Sequence, residues 1–347
     1  MTTEHKIYNM SSANLRNIAD GSVHLVVTSP PYPMIEMWDE IYCNQNEYIR
    51  ILLNENNFDL AYEEMHKILD KVWSEIDRVL IEGGIVCINI GDATKNCNGL
   101  FKLFSNHSRI INCFINMGYS VLPDIIWRKQ TNAPNKFMGS GMYPAGAYVT
   151  FEHEYILIFR KGNKREFKRN EEKINRRNSA YFWEERNVWF SDLWEVTGTS
   201  QVIKINNTRS RSGAFPFEIP YRLINMYSVK GDTVLDPFVG MGTTTLAAIA
   251  SGRNSLGCEI DEALCSNIFK GIIKDENGVK DNINKYINKR IERHLTFLEG
   301  QDKDKLYENN YHKFYVKTKQ EKEAIFNLID DIKVENNIIT CKYKDTL

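Results

Sequence analysis

The amino-acid sequence predicts a doubly wound α/β fold around a mostly parallel sheet, and three observations carry that expectation. Short apolar runs of strand length alternate along the chain with stretches of helical periodicity. Two of the runs end in turn-forming residues, Ser29-Pro30-Pro31-Tyr32 and Pro237-Phe238-Val239-Gly240-Met241-Gly242, where a parallel sheet opens a cleft. A chain of 347 residues that is 42% hydrophobic also suffices for one large core and a smaller appended region.

Taken in order, Val23-His24-Leu25-Val26-Val27 has the length and β-branched content of a buried strand. The loop at 33–46, with Met34, Ile35, Met37 and Trp38, is placed to close over the cleft. Residues 60–80 put Met65, Ile68, Leu69, Val72, Ile76, Val79 and Leu80 at helical spacing, opposite a polar face. Residues 83–92 read as another buried strand, and Ile125-Ile126-Trp127 and residues 154–159 as two more. Residues 131–148, with Asn132, Pro134, Gly139, Gly141, Pro144 and Gly146, read as a long loop over the cleft. A short strand, Thr233-Val234-Leu235-Asp236, leads through a glycine turn to a helix at 245–250, and residues 255–261 give the next strand. Beyond residue 265 the chain is charged and rich in Asn and Lys, with helical periodicity at 283–298 and 326–332, which predicts a helical extension against the sheet.

The first turn carries a recognisable chemistry. An exocyclic amino group on adenine or cytosine is a poor nucleophile, because its lone pair is delocalised into the ring. Acceptors placed on its hydrogens favour a tetrahedral nitrogen, and the Ser29 hydroxyl and the Pro30 carbonyl can both accept. Pro30 and Pro31 fix the carbonyl direction at little entropic cost, and Tyr32 supplies a face for stacking. Ser-Pro-Pro-Tyr after an apolar strand resembles the catalytic motif of the amino-group DNA methyltransferases, which implies Ser29, Pro30, Pro31 and Tyr32 as catalytic residues.

In the second turn, Gly240 and Gly242 let backbone N–H groups approach a ligand at a helix N-terminus. A dinucleotide-binding glycine pattern would need a further Gly at position 245, where Thr stands. The run from Asp236 through Thr244 instead resembles the signature by which these methyltransferases hold S-adenosylmethionine. That implies Thr28, Asp236, Pro237, Phe238, Gly240, Gly242, Thr243 and Thr244 as cofactor-binding residues. Glu259 ends the following strand about 20 residues downstream, the spacing of an acid that binds ribose hydroxyls. Residues 9–20 are similar to the segment that touches the cofactor's adenine, although the family's Gly-Asp is absent there. The catalytic motif precedes the cofactor motif, which resembles the permuted β arrangement in which the DNA-reading segment lies between them. The resemblance covers residues 5–265.

A net charge of −1 means that affinity for DNA must come from a local patch. Residues 160–177 hold nine basic residues against three acids, and Arg209 and Arg211 follow. Lys164, Arg165, Lys168, Arg169, Arg176, Arg177, Arg209 and Arg211 are therefore expected to contact DNA. The aromatic run of Tyr181, Phe182, Trp183, Trp189, Phe190 and Trp194 reads as the core of that region. The seven cysteines form no CxxC pair and no Cys/His cluster, so neither a metal site nor a disulfide framework is indicated. None follows a proline, which argues against cytosine-C5 chemistry through a covalent intermediate. No apolar stretch approaches the ~18 to 20 residues of a membrane span, and no signal pattern opens the chain, so a cytoplasmic protein without a membrane partner is expected.

These readings divide the chain into a catalytic half at 1–160, a target-recognition region at 161–212, a cofactor-binding half at 213–270 and a helical extension at 271–347. They imply a Rossmann-like, S-adenosylmethionine-dependent methyltransferase that acts on duplex DNA with base flipping. Serine at the first catalytic position favours N4 of cytosine over N6 of adenine. A restriction endonuclease cutting the same site is the partner that the resemblance implies.

Overall fold

The computed structural model describes residues 1–97, 99–129, 138–139, 142–197 and 215–344. Among them, one sheet of ten strands organises the molecule. Its strands are β1 (Thr2–Asn9), β2 (Val23–Thr28), β3 (Leu80–Ile90), β4 (Ser120–Arg128), β5 (His153–Arg160), β6 (Leu193–Trp194), β7 (Thr233–Asp236), β8 (Asn254–Glu259), β9 (Ile329–Glu335) and β10 (Ile338–Tyr343). In space they run β6-β4-β5-β3-β2-β7-β8-β1-β10-β9. The central strands β3, β2, β7, β8 and β1 are mutually parallel, β5 lies antiparallel between β3 and β4, and β6 is parallel to β4.

Strand alternation explains the layering. Leu25 and Val27 of β2 enter one core and Val26 the other, so the strand is buried on both faces as a central parallel strand must be. One face is covered by α1 (Phe58–Val79) and α2 (Asn106–Asn116). On α1, Ala61, Met65, Leu69, Val72, Trp73 and Ile76 form a single buried stripe. Between β5 and β6 lie α3 (Asn170–Asn178) and α4 (Trp183–Trp189). The second face is covered by α5 (Glu218–Tyr227), α6 (Thr243–Ser251), α7 (Glu262–Lys274) and α8 (Glu276–Leu298). From β2 the sheet builds outward through β3, and from β7 it builds the opposite way through β8, so the strand order reverses between β2 and β7. That is the switch point at which a doubly wound sheet opens a crevice beyond its C-terminal strand ends.

Two features differ from the sequence expectation. The long helix of the extension at 271–347 is α8, and beyond it β9 and β10 add an antiparallel pair to the sheet beside β1. Ile329, Ile332, Ile339 and Cys341 are buried in it, and Asn336 and Asn337, both at positive φ, form the hairpin turn between the two runs. The second difference is β1, whose inward positions include the polar Thr3 and His5. His5 bonds Thr3 Oγ1 and Ser255 Oγ, each at 2.9 Å, and burial pulls its pKa down to about 3.

Candidate functional site

The two turns meet at the cleft edge of the sheet. Thr28 ends β2, Asp236 ends β7, and the Thr28 hydroxyl donates to Asp236 Oδ1 at 2.6 Å. The same oxygen accepts the Phe238 N–H at 3.0 Å, while Oδ2 accepts the Thr244 hydroxyl at 2.6 Å. Asp236 thus joins the catalytic strand, the glycine turn and the first turn of α6. Burial pushes its carboxyl up from 3.8 to about 6, against the opposing pull of those three hydrogen bonds. Thr28, Asp236 and Thr244 are 0%, 4% and 1% exposed. Their side chains clamp the two turns from beneath.

The open part of the turn lies above this clamp. Gly240 and Gly242 take φ values of +50° and +79°, in the left-handed region that favours glycine. A Cβ on Gly242 would come within 3.1 Å of Ile268 Cγ2, whereas one on Gly240 would meet nothing nearer than the Phe238 carbonyl oxygen at 3.9 Å. Gly240 therefore borders free space at the N-terminus of α6, where Gly242 is the N-cap and no side chain caps the first-turn N–H groups. Glu259 crosses the same turn, accepting the Gly240 N–H at 3.0 Å and the Asp261 N–H at 2.9 Å. Each carboxylate oxygen keeps a lone pair for a ligand hydroxyl, and burial raises the carboxyl pKa. Residues 9–12 border this turn: Ser12 donates its hydroxyl to the Pro237 carbonyl, and Asn9 Nδ2 donates to the Glu259 carbonyl at 2.9 Å. A glycine cradle, a helix N-terminus and an acid on one turn fit a nucleoside-bearing cofactor.

At the catalytic turn Ser29 is half-buried, and the Tyr42 hydroxyl donates to the Pro31 carbonyl at 2.6 Å. Tyr32 is only 8% exposed, and one edge of its ring rests on Gly91, where a Cβ would stand 3.0 Å from Tyr32 Cε2. Its hydroxyl donates to Glu154 Oε2 at 2.9 Å, accepts from Asn89 Nδ2 at 2.7 Å and lies 3.1 Å from Ser29 Oγ. Asn89 also donates to Glu154 Oε2 at 2.7 Å, and the Lys129 ammonium bonds the other carboxylate oxygen. Burial, and then the Glu154 charge, raise the Tyr32 pKa well above its ordinary value. Sequence reasoning missed Asn89, Lys129 and Glu154. The signal was a polar residue inside each of two otherwise apolar runs, which a buried strand tolerates only with partners.

Other expected residues fall elsewhere. The 33–46 loop is folded down rather than free, with Met34 and Tyr42 3% and 1% exposed and a short helix at Asp39–Cys43. The basic segment leaves β5 at the edge of the sheet opposite the cleft, where the Lys161 carbonyl accepts the Gly83 N–H at 2.9 Å. Arg165 there makes two bonds, at 2.6 and 3.0 Å, to Asp232, which precedes β7. Lys168 pairs with Glu166, Arg169 with Glu172 and Arg177 with Glu323, and Arg176 lies over the Phe167 ring at 5.1 Å. Lys164 is exposed on the same segment. The segment expected to contact DNA therefore stands at the edge of the sheet opposite the cleft. Arg209 and Arg211 lie outside the described residues, as does half of the 131–148 loop; within it, Tyr148 stacks on Phe101 at 4.4 Å. Among the described residues, Glu184, His294 and Glu321 form a grouping of metal-ligand type. His294 already bonds Glu184 at 2.7 Å and the Tyr315 carbonyl at 2.9 Å, which ties α8 to α4.

Known proteins resemble this chain in sequence and in fold. A family model described as DNA methylase, of the N6/N4 type, matches residues 23–271. The type II methyltransferase M.MthZI of Methanothermobacter thermautotrophicus is 52% identical over 326 residues, covering 93% of this chain and 90% of its own. M.MjaI of Methanocaldococcus jannaschii, also a type II methyltransferase, is 50% identical over 291 residues, covering 81% and 93%. Among solved structures, a DNA modification methylase of Thermus thermophilus in complex with S-adenosyl-L-methionine superposes with a TM-score of 0.61 at 29% identity, covering 79% of this chain and 97% of that one. The PvuII DNA methyltransferase, cytosine-N4-specific, shares the fold with a TM-score of 0.51 at 17% identity, over 83% and 94%.

Proposed function

The chain belongs to the N6/N4 DNA methylases, S-adenosylmethionine-dependent enzymes of amino groups in DNA, and from that premise we propose that it methylates N4 of cytosine in a specific duplex sequence. The observation that carries the reading is the Thr28–Asp236–Thr244 clamp, which fixes the Ser-Pro-Pro-Tyr turn and the glycine turn side by side across the switch point.

When bound, the cofactor supplies an electrophilic methyl group. Gly240, Gly242, the α6 N-terminus and Glu259 are the groups that would hold it. The target base leaves the helix, at ~ a few kcal/mol of lost stacking, and enters beside Ser29 and Pro30. Their oxygens accept the amino hydrogens and direct the nitrogen lone pair outward. Tyr32 keeps its proton, and its ring, packed against Gly91, is a fixed floor for the base. The choice of cytosine rests on Ser29, a neutral hydroxyl at the first position of the motif. DNA is proposed to lie along the cleft edge, where the described chain leaves β4 at Lys129 and follows β6 to Thr197; Trp127 Nε1 donates to the Val196 carbonyl at 3.0 Å there. An endonuclease of the same specificity is the proposed biological partner, in keeping with the type II names of M.MthZI and M.MjaI.

Transfer of labelled methyl groups to plasmid DNA tests the assignment. Ser29→Ala is expected to lower the single-turnover rate on the order of a hundredfold, the usual cost of removing one preorganised contact, with cofactor and DNA affinity kept. Undiminished transfer by that variant would remove Ser29 from the mechanism.

A further inference from the structure

Four neighbouring strands send polar groups to one point beneath the Ser-Pro-Pro-Tyr turn. Ser29 and Tyr32 follow β2, Asn89 comes from β3, Glu154 from β5, and Lys129 from the end of β4. Asn89 and Glu154 are 2% and 8% exposed. A charged group so deeply placed in a sheet needs partners, and Glu154 has three donors: Tyr32 and Asn89 on Oε2, Lys129 on Oε1.

The direction of every hydrogen bond in this chain follows from Glu154. A carboxylate can only accept, so the Tyr32 hydroxyl must give its proton to Oε2. The Asn89 amide must also face it through its nitrogen, since its oxygen would oppose the carboxylate. Asn89 Nδ2 then occupies one lone pair of Tyr32 Oη at 2.7 Å. The remaining lone pair faces Ser29 Oγ at 3.1 Å, so the serine hydroxyl donates to tyrosine. With its only hydrogen turned down into the network, Ser29 shows the cleft nothing but lone pairs.

We propose that Glu154, backed by Lys129, is a positioning residue that orders this relay and so holds the Ser29 hydroxyl as a pure acceptor for the hydrogens of the target amino group. Glutamine at this position conserves volume and reverses the order. Its oxygen would turn to the Lys129 ammonium and its NH₂ to Tyr32, which would then give its proton to Ser29. The serine hydrogen would be displaced into the cleft, donor against donor.

The inference rests on the reading of Ser29 as an acceptor, and a double-mutant cycle separates the two. Single-turnover methylation of duplex DNA is measured for the wild type, Ser29→Ala, Glu154→Gln and the pair, with cofactor and DNA affinities by calorimetry. Glu154→Gln is expected to slow transfer on the order of tenfold to a hundredfold with both affinities unchanged, and to add less than about twofold in the Ser29→Ala background, because residues acting as one unit are not additive. If Glu154→Gln fails to fold, Tyr32→Phe cuts the relay at its middle, keeps the ring, and is expected to show the same non-additivity with Ser29→Ala. A slow Ser29→Ala beside a Glu154→Gln variant of wild-type rate overturns the role of Glu154 alone. So does a full multiplicative loss in the pair. A Ser29→Ala variant as fast as the wild type overturns the reading beneath it.

Discussion

Asp236→Asn separates the energetic cost of the clamp from its geometry. The carboxyl is buried and pushed up from 3.8 to about 6, so the folded protein holds that proton more tightly than the unfolded chain does. Its contribution to stability is therefore fully present below the unfolded pKa of 3.8 and is lost as pH rises through about 6. A shift of about two units corresponds to about 3 kcal/mol in total. Of this, about 2 kcal/mol falls between about pH 4.5 and about pH 7, a range open to measurement. Asparagine has nearly the same shape and does not ionise. It loses one acceptor, a roughly constant cost of about 1 kcal/mol, because a threonine hydroxyl can turn to accept from its amide. Urea unfolding of both proteins across this range, followed by tryptophan fluorescence, should show the variant gaining about 2 kcal/mol on the wild type as pH rises. Other titrating groups cancel in the difference. A difference independent of pH would refute burial as the dominant influence on Asp236, and one falling with pH would mean that the clamp favours the ionised form.

Further perturbations probe the neighbouring parts. Gly240→Val places a branched side chain at a φ of +50° facing open space, so calorimetry should find S-adenosylmethionine binding abolished, with a loss of roughly 1–2 kcal/mol in stability; undiminished binding would exclude the glycine turn as the cofactor site. Replacing Lys164, Lys168, Arg169 and Arg176 by Gln should leave the salt dependence of DNA affinity unchanged, since these groups sit at the edge opposite the cleft. A slope reduced by ~0.9 for each residue would show phosphate contacts there. Tyr42→Phe removes the bond to the Pro31 carbonyl and should lower stability by about 1 kcal/mol while slowing transfer; an unchanged rate would free the turn from dependence on that bond.

The parts of the fold that could be read in advance were those whose residue types follow from burial. Val23-His24-Leu25-Val26-Val27, the α1 stripe and the glycine turn stand where their patterns put them. The hairpin β9–β10 escaped because its alternating run was read with a helical period, although the Asn336-Asn337 turn between two alternating runs marks it. β1 escaped because polar side chains satisfied by Ser255 and Tyr343 occupy its inward face. At the site, the two motifs marked the two turns that meet at the cleft edge. Thr28, Asp236 and Thr244 are buried and bonded to one another beneath the turns, a placement that depends on tertiary packing. Composition marked the basic run but not its place, which the antiparallel course of β5 sets at the far edge of the sheet. Glu154 and Lys129 are distant from Ser29 in sequence and meet it only once β2, β3, β5 and β4 lie side by side.

The central claim is that Ser29 and Pro30 present acceptors to an exocyclic amino group beside a bound methyl donor. The most direct measurement is mass spectrometry of nucleosides from duplex DNA treated with the purified protein and S-adenosylmethionine labelled in its methyl group. The account predicts label in N4-methylcytosine and its loss with Ser29→Ala. Label in N6-methyladenine alone would contradict the choice of base, and label at carbon 5 of cytosine would contradict the amino-group chemistry itself.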